Sequence, residues 1–187
     1  MTITLPTAIT LFRIALIPLF VIVFYLPIAV ANILAAAIFF VACVSDWVDG
    51  YLARSMQQES SFGAFLDPVA DKLMVVVVIV LLVQANPSLY VTLPSIVIVA
   101  REISISALRE WMATLGSSTT VKVSFVGKSK TTAQMFALGF MIYSEPFLGL
   151  PIFQIGLGIY YVAAILTLYS MFIYLRAAWP VITHHGS

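Results

Sequence analysis

No charged residue lies between Arg13 and Asp46. In a bilayer such a run has one regular option. The hydrocarbon core offers backbone groups no water, so the chain must satisfy its own hydrogen bonds as a helix. One span takes about 20 apolar residues, so the run is too long for a single helix. Pro27 and Asn32 sit near its middle and divide it into two antiparallel spans, at about 6–26 and 32–55. A polar stretch at 56–61 precedes a third span at 63–83. The turn signal Asn86-Pro87-Ser88 precedes a fourth at 89–115. Residues 116–120 break the pattern, and 121–130 read as a polar connector. A fifth span follows at 131–144, Glu145-Pro146 ends it, and a sixth runs over 149–179. The expected fold class is an all-α membrane protein with six transmembrane helices. Residues 1–180 form one domain, and 181–187 a short C-terminal tail.

Composition supports that class. Of the 187 residues, 62% are apolar and 9% charged, against roughly 25% charged in soluble domains. A net charge of +1 argues against a nucleic-acid surface, which is normally strongly basic. The single cysteine, Cys43, rules out an internal disulfide and a cysteine-based zinc site; its expected role is helix packing. Ala29-Val30-Ala31 resembles a signal-peptidase site, but residues 1–7 lack a positive region, so the first apolar run is read as a retained span. With six spans, all nine basic residues fall on one membrane side or in helix halves leading to it. The turns near 27–32, 84–90 and 144–149 contain none. Basic residues favour the cytoplasmic side, so both termini are expected to face the cytosol.

Against this background the acids stand out. Asp46, Asp49, Asp67 and Asp71, four of the eight acids, fall within 26 residues. Ionisable groups at membrane depth are costly and usually functional. Positions 46, 49, 50, 53 and 54 step i, i+3, i+4, i+7, i+8 and share one helical face; 63, 67 and 71 share another. Two carboxylates on each of two neighbouring helices make a hard-oxygen cage suited to Mg²⁺ or Mn²⁺. Gly50 and Gly63 each cost about 1 kcal/mol relative to alanine inside a helix. With Ala53, they either open space beside the carboxylates for a ligand or let helices approach closely. The bland alternative for the aspartates is an ion-pair network with Arg54 and Lys72, but four acids against two bases leave it unbalanced. Asp67-Pro68 is also readable as the first turn of a helix.

A second cluster is basic. Arg101-Glu102 and Arg109-Glu110 fall in the same half of the fourth span, and Gly127-Lys128-Ser129-Lys130-Thr131 opens the fifth. Bases beside a helix start make a phosphate site; the alternative is interfacial anchoring, strongest for Lys122. Glu102 and Glu110 are expected as ion-pair partners of these bases. His184 and His185 are read as solvated tail residues.

The acidic stretch Asp46-Trp-Val-Asp49-Gly50-Tyr-Leu-Ala53-Arg54, then eight residues, then Gly63-Ala-Phe-Leu-Asp67-Pro-Val-Ala-Asp71 resembles the signature of the CDP-alcohol phosphatidyltransferase family at each of its eight specified positions. The resemblance extends over nearly the whole chain. The segments 3–13, 100–110 and 127–134 look like the branch of that family whose acceptor is glycerol 3-phosphate; Thr7 departs from the asparagine common there. The resemblance implies the family's six-helix fold, a homodimer in the bacterial cytoplasmic (inner) membrane, a cytosol-facing site and two divalent ions. Asp46, Asp49, Asp67 and Asp71 would bind the metals, with Asp71 also the general base. Asp49, Gly50, Ala53, Arg54, Gly63 and Thr10 would contact the CDP moiety of CDP-diacylglycerol. Arg101, Arg109, Lys128 and Lys130 would be left for the acceptor phosphate. The implied reaction is attack of the glycerol 3-phosphate 1-hydroxyl on the diacylglycerol-bearing phosphorus, expelling CMP.

Two rivals accompany that expectation. One is a relative with another acceptor: inositol phosphate, serine or phosphatidylglycerol. The other is a divalent-cation transporter, which needs acids along a whole pathway, whereas the far side here offers only Glu145.

Overall fold

A computed structural model describes residues 5–56, 61–114 and 125–184. They form six helices: α1 (Leu5–Phe24), α2 (Ala31–Met56), α3 (Ser61–Ala85), α4 (Leu89–Thr114), α5 (Phe125–Tyr143) and α6 (Ile152–His184). Five of them, all but α5, contain stretches long and apolar enough to cross a membrane. The protein is an all-α membrane protein.

Three boundaries differ from the sequence reading. The stretch read as a polar connector is helical from Phe125, so Lys128 and Lys130 lie within α5. Pro68 is interior to α3, which begins at Ser61. It is therefore no first-turn proline, and it removes one ladder hydrogen bond next to Asp67. The last helix begins at Ile152 and continues to His184, into the segment read as a tail. Its start is delayed by a tight turn in which Phe147 and Leu150 exchange both backbone hydrogen bonds, at 3.1 and 2.9 Å. The two central residues, Leu148 (φ 52°) and Gly149 (φ 77°), are both left-handed, as a type I′ turn requires.

Each helix carries one inward stripe. On α1 it is Thr7, Thr10, Arg13, Leu16, Phe20 and Val23; on α4 it is Val91, Pro94, Ile98, Arg101 and Ile105. Lys130, Gln134, Ala137, Leu138 and Met141 form that of α5, and Tyr160, Ala163, Thr167, Ser170 and Tyr174 that of α6. Steps of three and four place these residues on one face. Phe39 and Ala42 of α2, Val78 and Leu82 of α3, and Leu138 of α5 meet in the apolar centre. Large apolar side chains left outside, such as Phe40, Val80, Ile96 and Phe172, face where lipid would be. Helices in lipid associate through close fit rather than water exclusion, and α5 against α6 illustrates it. A Cβ at Gly156 would lie 2.8 Å from Phe140 Cβ and 3.0 Å from the Ala137 carbonyl oxygen.

The stripes share a second property. Each becomes polar at the N-terminal end of α1, α3 and α5 and toward the C-terminal end of α2, α4 and α6. In an up-and-down bundle those ends coincide, so the polar residues gather at one end of the molecule.

Candidate active site

The gathering point is a cavity of about 320 Å³. Asp46 from α2 and Asp71 from α3 line one side. Arg101, Glu102 and Arg109 from α4 and Lys130 from α5 line the other. The acidic and basic clusters therefore face a common space.

Arg13 organises the acidic side. α1 packs against both α2 and α3, and its inward stripe delivers Arg13 between them. Nη1 of Arg13 lies 2.9 Å from Asp46 Oδ1 and also pairs with Asp71 Oδ1. The Arg13 side chain is 2% exposed, whereas Asp46 and Asp71 are 37% and 42% exposed. The guanidinium is buried between the carboxylates, and these keep part of their surface open to the cavity. Of the predicted metal ligands, Asp46 and Asp71 are thus brought together. The backbones of Asp49 and Asp67 lie in α2 and α3, but their side chains fall outside the described residues. The same holds for the surroundings of Gly50, Ala53, Arg54 and Lys128. Gly63 is half-buried near the start of α3, and Thr10 is buried one turn before Arg13.

The ion-pair alternative names Arg54 and Lys72; the Arg54 side chain falls outside the described residues, and among the described pairings Asp46 and Asp71 share Arg13. In the sequence Arg13 reads only as a topological charge. Its isolation in an apolar stretch is the signal that could have found it, because a charge at that depth needs a partner.

Glu102 organises the basic side. Its Oε1 pairs with Lys130 Nζ and lies 3.2 Å from Arg101 Nη1, as expected for a partner of these bases. Arg101 Nη2 also donates to Ser170 Oγ at 3.0 Å, and its guanidinium carbon lies 5.9 Å from the Tyr174 ring centroid, within cation–π range. The supporting role of Ser170 and Tyr174 of α6 has no counterpart in the sequence reading. Arg101 and Lys130 are both buried, which interfacial anchoring does not explain. Arg101 Nε has no hydrogen-bond partner among the described residues, so donor capacity remains after Glu102 and Ser170 are satisfied. Arg109 is exposed at the cavity rim.

Among the described residues no three metal-ligating side chains come together, but the pair Asp46 and Asp71 is of the hard-oxygen type that a divalent cation takes. Carboxylate oxygens from two helices converge on one cationic nitrogen, a shared position that a small ion bound by oxygens also requires. Beside it, two buried bases and one at the rim suit a phosphate.

Two comparisons bear on this geometry. The profile of the family described as CDP-alcohol phosphatidyltransferase matches residues 3–180. The chain is 52% identical over 178 residues to a CDP-diacylglycerol–glycerol-3-phosphate 3-phosphatidyltransferase of Shigella flexneri serotype 5b, covering 95% of this chain and 96% of that one. A protein of the same name from Escherichia coli strain K12 is also 52% identical over the same shares. Another, from Salmonella typhimurium, is 51% identical.

Proposed function

The chain belongs to the CDP-alcohol phosphatidyltransferase family, and we propose that it transfers the phosphatidyl group of CDP-diacylglycerol to the 1-hydroxyl of sn-glycerol 3-phosphate, releasing CMP. Full-length likeness to three enzymes named for that reaction supports the reading. The observation that carries it is the cavity shared by Asp46 and Asp71 on one side and Arg101 and Lys130 on the other. Joining two phosphorylated substrates needs these two kinds of subsite within one cavity.

In this reading Asp46, Asp49, Asp67 and Asp71 hold the divalent ions, Mg²⁺ or Mn²⁺. Bound there, such ions offset phosphate charge during displacement. Thr10, Asp49, Gly50, Ala53, Arg54 and Gly63 contact the CDP moiety. Arg101, Lys128 and Lys130 receive the acceptor phosphate, with Arg109 at the entrance. Asp71 accepts the proton of the 1-hydroxyl as that oxygen attacks the diacylglycerol-bearing phosphorus. The new P–O bond forms while the bond to the CMP phosphate breaks, and CMP leaves. The acyl chains stay in the bilayer, so only the head groups enter the cavity. Fixing both head groups in one small space removes much of the entropic barrier to their encounter.

Residues 1–180 act as one catalytic domain in the bacterial inner membrane, as a homodimer. The charged end faces the cytosol, because the bases collect there. Purified protein with CDP-diacylglycerol, Mg²⁺ and a panel of acceptors tests this by CMP release. Glycerol 3-phosphate should be the one acceptor that supports turnover. Preference for inositol phosphate, serine or phosphatidylglycerol would reassign the acceptor.

A further inference from the structure

Arg13 has no part in the reaction as proposed, yet it touches both described carboxylates of the acidic site. One nitrogen, Nη1, pairs with Asp46 Oδ1 at 2.9 Å and with Asp71 Oδ1. It comes from α1, a helix that supplies none of the four aspartates, and the side chain is 2% exposed. Burying a guanidinium costs several kcal/mol unless charge and hydrogen bonds offset it. A merely structural pairing would be expected with one carboxylate held away from the cavity. Here the arginine instead holds two that keep more than a third of their surface open.

We propose that Arg13 is a positioning residue that works as a built-in counter-cation: its guanidinium competes with a divalent ion for Asp46 and Asp71, and so makes metal binding depend on the nucleotide-bearing substrate. This rests on the metal reading of the aspartates. The argument is geometric. A divalent ion held by Asp46 and Asp71 would draw on the same carboxylate oxygens that Arg13 Nη1 pairs with. A nitrogen already bonded to both oxygens and an ion between them exclude each other. When the ion enters, the guanidinium must give up at least one carboxylate. Close to a dication it is then repelled, unless an anion arrives to receive it. A diphosphate supplies that anion, since arginine pairs with phosphate as readily as with carboxylate. Metal and donor are thereby coupled: each should raise the other's affinity by the same factor. Before both are present, Asp46 and Asp71 are neutralised and held at their spacing.

The test is Mn²⁺ binding to the purified full-length protein, read by electron paramagnetic resonance of free Mn²⁺ with and without CDP. Wild-type protein should bind Mn²⁺ weakly alone and at least about tenfold more tightly with CDP. Arg13→Gln should bind Mn²⁺ at least about tenfold more tightly than wild type without CDP, and CDP should then add little. Arg13→Lys, which keeps the charge, should retain a low affinity without CDP. Equal or weaker Mn²⁺ binding by Arg13→Gln, with its helices assembled, overturns the proposal. Should that variant not assemble, the wild-type protein still decides. With ¹⁵N-labelled arginine, the side-chain resonance missing from Arg13→Lys should move as Mg²⁺ is titrated, and one that stays in place overturns the proposal. No Mn²⁺ binding by wild type, with or without CDP, would instead remove the metal reading itself and this proposal with it.

Discussion

The two ends of the bundle hold their helices together in opposite ways. At one end, Arg13, Arg101 and Lys130 are buried, and each is paired with a carboxylate. At the other, the contacts beside the turns are exposed: Tyr25 donates to Gln84, and Asn32 Nδ2 reaches Glu145 at 3.5 Å, the outer limit of a hydrogen bond, while the buried contact in that half, Ser95 Oγ with Tyr160 OH at 3.1 Å, is uncharged. Stability alone would not produce this asymmetry. Buried ion pairs often contribute no more than well-packed apolar residues of similar size, and the apolar centre shows that this chain can supply such residues. In the proposed reading the charged end carries the chemistry, and the neutral end closes helix pairs.

That contrast breaks first if charge at the active end proves dispensable. Asp46→Asn, Asp49→Asn and Asp67→Asn should each abolish or severely reduce CMP release. Asp71→Asn should lower the rate by about 10²–10⁴-fold while still binding CDP-diacylglycerol in Mg²⁺. Glu145→Gln, at the neutral end, should stay near wild type. Comparable losses at both ends would mean that these charges act through folding. If the Asp71 loss tracked entirely with lost donor binding, its assignment as base would be wrong.

Within the active end, the acid and base sides should separate kinetically. Lys130→Gln removes one charge-assisted bond to the acceptor, worth about 1.5–3 kcal/mol, or roughly ten- to a hundred-fold, together with the pairing to Glu102. It should raise the KM for glycerol 3-phosphate far more than that for CDP-diacylglycerol. Arg109→Gln should act in the same direction and less, because Arg109 sits at the exposed rim. Arg101→Gln is the poorer probe, since it also loses Ser170 and the Tyr174 ring. Unchanged acceptor KM in both Lys130→Gln and Arg109→Gln would move the acceptor site elsewhere.

Two glycines compare packing with chemistry outside the site. Gly156 faces Phe140 and Ala137 with no room for a methyl, whereas Gly139 has open space around its Cβ position. Gly156→Ala should destabilise the α5–α6 pair by about 1–3 kcal/mol, and Gly139→Ala should have little effect. Thermal unfolding in detergent measures both. Equal melting temperatures for the two variants would mean that α5 and α6 are not held by close approach at Gly156.

Much of this architecture is legible in the amino-acid sequence. Uncharged runs and turn residues locate the helices, because a bilayer permits little else. The spacing of Asp46 to Asp71 singles out the acidic cluster. The start of α5 is harder to read because 121–130 looks polar, yet among the described side chains the inward stripe of α5 begins with Lys130. Polarity at the active end marks the site, not a loop. Arg13 is hidden for a related reason. A lone charge in an apolar run reads as a topology signal, and its partners lie 33 and 58 positions away. Spacing within one helix cannot report a contact across three. Ser170 and Tyr174 are hidden likewise, since nothing local distinguishes them from ordinary membrane residues.

The smallest effect lies at the neutral end, in the α5–α6 turn. Leu148 holds φ at 52°, where a Cβ costs roughly 1–2 kcal/mol, and the residue is 85% exposed. The strain obtains no packing in return within the chain. Asparagine tolerates the left-handed region better than leucine, and its backbone is less free than glycine's when unfolded. Leu148→Asn should therefore stabilise by up to about 1 kcal/mol, a rise of roughly 2–4 °C in a chain of this size. Leu148→Gly should gain less, because glycine loses more conformational freedom on folding. CMP release should be unaffected in both, since the turn lies at the end opposite the cavity. A lower melting temperature for Leu148→Asn would show that the exposed leucine is anchored in lipid, and that the neutral end owes stability to the bilayer as well as to its own contacts.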